Sequence, residues 1–437
     1  MLLIPPACAP LRGSVRVPGD KSVTHRALLF AALTPDHCRV TNRLRSEDTD
    51  RSLEAIKRLG AVVEETGQEL TIRTGAFPAR GPAPEGAPIV EIDCGNSGTT
   101  ARLLMGLLAG RRVRALLDGD DSLRSRPMAR VVDPLRTMGA VLRYLGEEGR
   151  LPLEVTGAGL TGVRHHLGVA SAQVKSALIL AGLDARGETG VVGGAGSRDH
   201  TERLLQAMGA DLGFTAESDL WTVRSGARLS GYDLTVPGDP SSAAFLAAAA
   251  SLVPGSDLTL TDVLINPSRT GFFREYPGEL QIEPGQAPSV DPVGTIRVRA
   301  STLEARDYGG AIIPAMIDEV PMLAVLAARA CGVTRITEAA ELRHKESDRI
   351  ATTVVGLRSL GVEVQERADG MIIHGCPGGF PTTGTTRIET KGDHRIAMAF
   401  AVAGLASRGG VELDDASCAA VSFPGFFELL ESLQKTS

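Results

Sequence analysis

Two kinds of apolar run alternate along this chain. The first is nearly continuous and alanine-rich, and it recurs at 22–33, 98–109, 171–183, 241–252, 318–330 and 394–406. A helix with no polar face has to be buried on all sides, so these runs predict six buried helices. The second kind is amphipathic. Leu53, Ile56 and Leu59, or Leu135 and Met138, fall at helical spacing, and each run ends at a glycine: Gly60, Gly139, Gly209 and Gly361. Alternating apolar residues follow, as in Val362-Glu363-Val364. This reads as an amphipathic helix, a left-handed glycine cap and then a strand. Six buried helices with amphipathic helices and strands between them imply six α/β units, three in each half.

The halves announce themselves. Val17-Pro18-Gly19-Asp20 returns as Val236-Pro237-Gly238-Asp239, half a chain away, and serines and an apolar run follow both copies. One unit departs from the rule. After Asn266-Pro267-Ser268-Arg269-Thr270-Gly271 an amphipathic helix is due, but Pro277 interrupts it. A helix interior does not tolerate proline, so a shortened or missing helix is expected, then a Pro/Gly-rich loop from Gln286 to Gly294. The run Phe426 to Leu433 looks like a last, truncated amphipathic helix.

Composition sharpens this picture in a few respects. A length of 437 residues exceeds one ordinary core and suggests two domains. With 43% apolar and 22% charged residues the chain reads as a soluble globular protein. A net charge of −6 and 4% aromatics argue against nucleic-acid binding, which calls for cations and stacking platforms. Cys8, Cys38, Cys94, Cys331, Cys376 and Cys418 form no CxxC pair, and no HExxH occurs, so no metal or redox motif is present. Scattered reduced cysteines fit a cytoplasmic protein. The start, Met-Leu-Leu-Ile-Pro-Pro, does not read as a signal peptide, and the apolar runs are too short to cross a bilayer.

The candidate chemistry lies in cations placed where helices begin. A helix N-terminus is partly positive and favours acidic side chains. Here Lys21 precedes the first buried helix, Arg124 and Arg126 precede a helix opened by Pro127, and Lys345 and Arg349 flank another. Arg395 opens the last buried helix. Small polar residues crowd the same starts, as in Gly95-Asn96-Ser97-Gly98-Thr99, Ser171-Ala172-Gln173 and Ser241-Ser242. Backbone N–H groups, hydroxyls and guanidinium forks together make phosphate and carboxylate sites, and bound anions would relieve the conflict. Gly19-Asp20-Lys21-Ser22 is no P-loop, and Gly95-Asn96-Ser97-Gly98 is no nucleophile elbow. Two carboxylates sit among the cations. Asp318 is either an N-cap or an acid–base group, and Glu346 either an ion-pair partner or an acid–base group.

Nine ordered segments carry a resemblance. They are Pro-Gly-Asp-Lys-Ser-Val-Thr-His-Arg at 18–26, Gly-Asn-Ser-Gly-Thr-Thr-Ala-Arg at 95–102, Arg-Pro-Met at 126–128 and Ala-Ser-Ala-Gln-Val-Lys-Ser-Ala at 170–177. Ser-Arg-Asp-His-Thr-Glu at 197–202, Pro-Gly-Asp-Pro-Ser-Ser at 237–242 and Met-Ile-Asp-Glu at 316–319 follow. Leu-Arg-His-Lys-Glu-Ser-Asp-Arg at 342–349 and Asp-His-Arg-Ile-Ala-Met at 393–398 complete the set. Together they resemble the enolpyruvyl transferase family, in the branch acting on shikimate 3-phosphate, and within it the second class.

The resemblance implies an α/β fold: a two-domain inside-out α/β barrel of six βαβαββ repeats, three per domain, around buried parallel helices. One domain would be 20–236. The other would combine 1–19 with 237–437, with the active site in a cleft that closes on substrate. The implied activity is transfer of the enolpyruvyl group of phosphoenolpyruvate to the 5-hydroxyl of shikimate 3-phosphate, by addition and elimination, in aromatic amino-acid biosynthesis. Lys21, Ser22, Arg26, Ser171, Ala172 (through its backbone), Gln173, Ser197, Arg198, Asp318 and Lys345 would contact shikimate 3-phosphate. Lys21, Gly98, Arg126, Gln173, Arg349 and Arg395 would contact phosphoenolpyruvate. Asp318, Glu346 and Lys21 would be catalytic. No cofactor, metal, nucleic acid or membrane partner is implied, and the enzyme would be a cytoplasmic monomer.

Two departures from the commonest branch stand out, Val421 and the Ala172 with Val174-Lys175-Ser176 pattern, and both, with Met-Ile-Asp-Glu, resemble the second class. Val421 precedes Ser422-Phe423-Pro424, where many relatives have a lysine. Gly98 stands where glyphosate-tolerant members often have alanine, which implies inhibition by glyphosate. A related branch acting on UDP-N-acetylglucosamine uses a cysteine in the loop before Arg-Pro, and 119–127 contains none.

Overall fold

The computed structural model describes all residues except Val169, Ala195, Ala287, Pro288, Thr436 and Ser437. The chain divides into two compact units, Gly19–Val236 and Met1–Pro18 with Pro237–Ser437.

Each unit holds three small sheets built on one plan. In the Gly19–Val236 unit, Ile89–Asp93 runs parallel to Arg114–Asp118, which pairs antiparallel with Leu153–Thr156, and Val141–Tyr144 closes the edge. Arg164–His166, Glu188–Val192, Leu220–Arg224 and Asp211–Thr215 repeat the order. So do Asp233–Thr235, Cys38–Thr41, Glu69–Arg73 and Val62–Thr66, although here the parallel edge strand comes from the unit's far end.

The other unit follows the same plan with a similar loan. Its first sheet takes Arg12–Arg16 from the N-terminal segment, parallel to Asp257–Leu264, with Val293–Arg299 and Leu280–Pro284 beyond. The second comprises Asp307–Tyr308, Val333–Ile336, Gly370–His374 and Val364–Arg367. The third has three strands, Thr386–Ile388, Val411–Leu413 and the N-terminal Leu2–Ile4. Where a parallel pair is consecutive in the chain, the step between its strands passes through a buried helix, as a parallel connection requires a crossover.

The buried helices are Lys21–Ala31, Gly98–Leu108, Ala172–Gly182, Pro240–Leu252, Val320–Ala327 and His394–Leu405. Every residue of Pro240–Leu252 and His394–Leu405 is buried. Alanine and glycine allow close approach: a Cβ at Gly106 would lie 2.1 Å from the Ala177 carbonyl oxygen. The amphipathic helices Glu47–Arg58, Ala129–Thr137, His200–Ala207 and Arg349–Ser359 bury one face and end at Gly60, Gly139, Gly209 and Gly361. Those glycines have φ between 83° and 97°, a range that costs a side-chain-bearing residue strain.

At the irregular unit only a four-residue helix forms, Gly271–Arg274. The expected Gln286 to Gly294 loop is shorter than the sequence suggests, because Val293 and Gly294 already belong to a strand. Ala287 and Pro288 lie outside the described residues. Two other expectations need correction. Pro127 does not open a helix, since Met128 is the cap of Ala129–Thr137. The 318–330 helix starts late: Ile317–Glu319 is a 3-10 turn and the α-helix begins at Val320. Among the described residues no helix is long and apolar enough to cross a membrane, and the six cysteines are free thiols.

Candidate active site

In the Gly19–Val236 unit the expected ligand contacts gather at the first turns of three buried helices. Lys21 is the first residue of its helix, behind Asp20, whose carboxylate accepts from the Val23 N–H at 2.7 Å. The Lys21 ammonium pairs with Asp48. Ser22 Oγ accepts from Arg198 at 3.0 Å. Ser171 and Ala172 are the cap and first residue of Ala172–Gly182, and the Ser171 hydroxyl makes no capping bond. Ser197 closes a turn by donating to the Gly194 carbonyl at 2.7 Å. Gln173 donates to Thr99 Oγ1 at 3.0 Å and accepts from Arg102 at 2.8 Å. Gly98 opens its helix, and the Arg126 guanidinium bonds Asn96, two residues before it.

Arg26 has a second role. It is 2% exposed and donates to Thr201 Oγ1 at 2.7 Å, Ser176 Oγ at 3.0 Å and the Ser22 carbonyl at 2.9 Å. Those bonds knit the starts of three helices together. Arg124, read from the sequence as one more anion-binding cation, instead forms a fork with Asp118 at 2.6 and 2.9 Å.

In the other unit Arg349 is the hub. It is 2% exposed and donates to Glu346 at 2.6 Å, to Asp318 at 3.3 Å and to Asp393 at 2.8 Å. Burial alone would lower its pKa, but Glu346, Asp393 and Asp318 together hold it above the ordinary arginine value. Burial likewise opposes ionisation of Asp393, yet Arg349 keeps its pKa below the usual carboxylate range. Asp318 is not an N-cap; it lies in the 3-10 turn, with its side chain 16% exposed. Of the two readings of Glu346, the ion pair is present. Lys345 turns toward Glu341, at 3.3 Å.

Arg395 is different in kind. It is the second residue of His394–Leu405, 5% exposed, and its Nε and Nη1 are buried with no hydrogen-bond partner. Its guanidinium carbon stands 5.8 Å from the Phe245 ring centre. Buried polar groups are normally satisfied, so these two donors stand out. Next to it, burial first, and Asp318 with it, raise the pKa of Glu319, whose carboxylate accepts from Ser241.

Sequence reasoning missed Arg102 and the buried pair Lys175–Glu202, 2.8 Å apart. The available signal was a lone cation inside an otherwise apolar helix, which demands a partner when buried.

The fold places the chain among enolpyruvyl transferases. It superposes on an enolpyruvyl transferase from Streptomyces tendae with a TM-score of 0.75 at 20% identity, over 98% of this chain and 96% of that one. A closer match is the EPSP synthase of Acinetobacter baumannii, with a TM-score of 0.86 and 38% identity, covering 99% of this chain and 97% of the other. The 3-phosphoshikimate 1-carboxyvinyltransferase of Synechococcus sp. (strain RCC307) is 45% identical over 435 residues, 98% of each chain. That of Bacillus velezensis is 41% identical over 428 residues, 97% of this chain and 98% of its own. The family profile described as EPSP synthase (3-phosphoshikimate 1-carboxyvinyltransferase) matches residues 6–430. The chain belongs to the EPSP synthase family.

Proposed function

We propose that this chain transfers the enolpyruvyl group of phosphoenolpyruvate to the 5-hydroxyl of shikimate 3-phosphate and releases phosphate, in the pathway to chorismate and the aromatic amino acids. The observation that carries the reading is the Arg395 guanidinium, buried at a helix N-terminus with its Nε and Nη1 making no hydrogen bond. A guanidinium there suits a carboxylate or phosphate of phosphoenolpyruvate. Arg349 and Arg126 are its partners in the proposal, with Gly98, Gln173 and Lys21. Ser22, Arg26, Ser171, the Ala172 backbone, Gln173, Ser197, Arg198 and Lys345 hold shikimate 3-phosphate.

The chemistry follows from the residues. Asp318 takes the proton of the 5-hydroxyl as that oxygen attacks C2 of phosphoenolpyruvate. Glu346, with Lys21, delivers a proton to the methylene carbon and later removes one, so that the C2–O bond to phosphate breaks and the enol ether double bond returns. Asp318 and Glu346 both accept from Arg349, which fixes their orientation. The cations stabilise charge on the departing phosphate. On this reading the enzyme works as a cytoplasmic monomer on small molecules. The test is phosphate release with each substrate alone and with both. Release that needs both, with the enolpyruvyl ether found by mass spectrometry, supports the proposal; release without shikimate 3-phosphate, or none with both, rejects it.

A further inference from the structure

Beside Asp318 lies a carboxyl group that the proposed chemistry does not use. Glu319 occupies the cap position of Val320–Ala327, yet its side chain makes no capping bond. A capping acid normally serves its own helix. This one reaches across to Ser241, in the first turn of Pro240–Leu252, and accepts from its hydroxyl. The bond joins the starts of two buried helices.

Ser241 is itself held from two sides. Its N–H donates to Asp239 at 2.7 Å, and its Oγ accepts from Arg269 at 3.1 Å. Arg269 also donates to Asp239 at 3.0 Å. Asp239, Arg269, Ser241 and Glu319 thus form one run of bonds, and none is more than 3% exposed. The backbone follows the same route. The segment after Arg269 packs on the one before Asp318, where a Cβ at Gly271 would lie 3.0 Å from the Ala315 carbonyl carbon.

Burying a carboxyl costs free energy that only well-placed partners offset. Glu319 uses one oxygen, and its Oε2 is buried with no hydrogen-bond partner. Burial, and Asp318 after it, raise its pKa against Arg269, Arg395 and the Ser241 bond. Stability alone gives little reason for such a group. Its position gives a better one. Glu319 ends the 3-10 turn Ile317–Glu319 that carries Asp318, and its N–H donates to the Met316 carbonyl at 3.0 Å. A bond from Glu319 to Ser241 therefore fixes the backbone under Asp318.

We propose that Glu319 is a positioning residue for Asp318: through Ser241 it fastens the Ile317–Glu319 turn to the start of Pro240–Leu252, and so aims the Asp318 carboxylate. The inference rests on the proposed function, in which Asp318 takes the proton of the 5-hydroxyl. Glu319 itself is 1% exposed and acts through its neighbour.

The test removes the tether from either end. Glu319→Ala and Ser241→Ala are compared with the wild type by kcat and by KM for each substrate. Both should lower kcat at least about tenfold, since a reacting group displaced by about 1 Å costs up to about 100-fold, while each KM stays within about threefold. Glu319→Gln keeps an oxygen that accepts from Ser241 and should retain kcat within about threefold. The double alanine variant should be no worse than the poorer single, because one bond is lost only once. Unchanged kcat in either alanine variant overturns the inference. So does a loss that appears in KM, a glutamine variant as poor as alanine, or losses that multiply in the double variant. If Glu319→Ala fails to fold, Ser241→Ala, which deletes one oxygen, still decides. Absence of turnover in the wild type counts against the proposed function alone. Crystal structures of the wild type and Ser241→Ala then decide the inference, and an Asp318 carboxylate unmoved between them overturns it.

Discussion

Lys175 and Glu202 offer a direct measure of how the Gly19–Val236 unit is held. Their charged atoms lie 2.8 Å apart and their side chains are 1% and 0% exposed. Lys175 also stands 6.0 Å from the centre of the Trp221 ring. In Lys175→Met the volume is nearly kept and the charge removed, so Glu202 is left ionised in a buried site, or must take up a proton. Removing one partner of such a pair costs about 3–5 kcal/mol. Replacing both by apolar residues of similar size is near neutral, so Lys175→Met with Glu202→Met should recover most of the loss. The assay is built in. Trp221 is the only tryptophan, so its fluorescence during urea unfolding follows this unit and no other. A Lys175→Met transition within about 1 kcal/mol of wild type, or a double variant as unstable as the single, would refute the argument that the pair is a closed, mutually dependent unit.

Two further outcomes follow from the same reasoning. Asp318→Asn should lose at least about 100-fold in kcat, the usual worth of a positioned general base, while both substrates still bind by calorimetry. Near-normal turnover would remove Asp318 from the proton-transfer role. His25 concerns acid stability. It is fully buried, with Nδ1 2.8 Å from Ser52 Oγ, and burial, helped by Lys21 and Arg26 against the opposing Asp48, lowers its pKa from 6.5 to about 3. Above 6.5 both states are neutral and His25 contributes no pH dependence. Between 6.5 and 3 only the unfolded chain is protonated, so stability falls by about 1.4 kcal/mol per pH unit as pH drops. His394, also brought to about 3 by burial and Arg395, adds a second such slope in its own unit. Urea melts from pH 6 to 4 should show His25→Asn with the shallower slope by Trp221 fluorescence, and an unchanged slope would count against a neutral buried His25.

The sequence made the architecture legible because few solutions satisfy it. An all-apolar run such as 241–252 has no face to show water, and Gly60, Gly139, Gly209 and Gly361 each stand where only a glycine takes the cap without strain. Pro277 foretold the stub at Gly271–Arg274. The exchange of edge strands was not legible, since Arg12–Arg16 pairs with a segment far along the chain and nothing local marks the partner. The helix expected from 318 begins two residues later, at Val320, because Ile317–Glu319 is a 3-10 turn, and periodicity does not distinguish such a turn from α-helix. Arg26 and Arg102 show a deeper limit. A cation near a helix start looks the same in sequence whether it faces a ligand or braces a neighbouring helix. Only the bonds to Thr201, Ser176, Gln173 and Pro127 separate the two cases.

Arg395 brings stability and function into opposition. Its Nε and Nη1 are buried with no hydrogen-bond partner, burial and Arg395 lower the pKa of its neighbour His394 to about 3, and the positive end of a helix lies beneath it. Each unmet buried donor costs about 1–3 kcal/mol, and the dipole adds a smaller penalty of the same sign. The Phe245 ring recovers only part of this. Arg395→Met should therefore raise the unfolding free energy of the ligand-free enzyme by about 1–3 kcal/mol, while turnover falls by orders of magnitude. Phosphoenolpyruvate alone should stabilise the wild type and leave the variant's melting unchanged. A less stable ligand-free variant would show that Arg395 is held by the fold itself, and the fork would then lose its standing as a place prepared for a substrate anion.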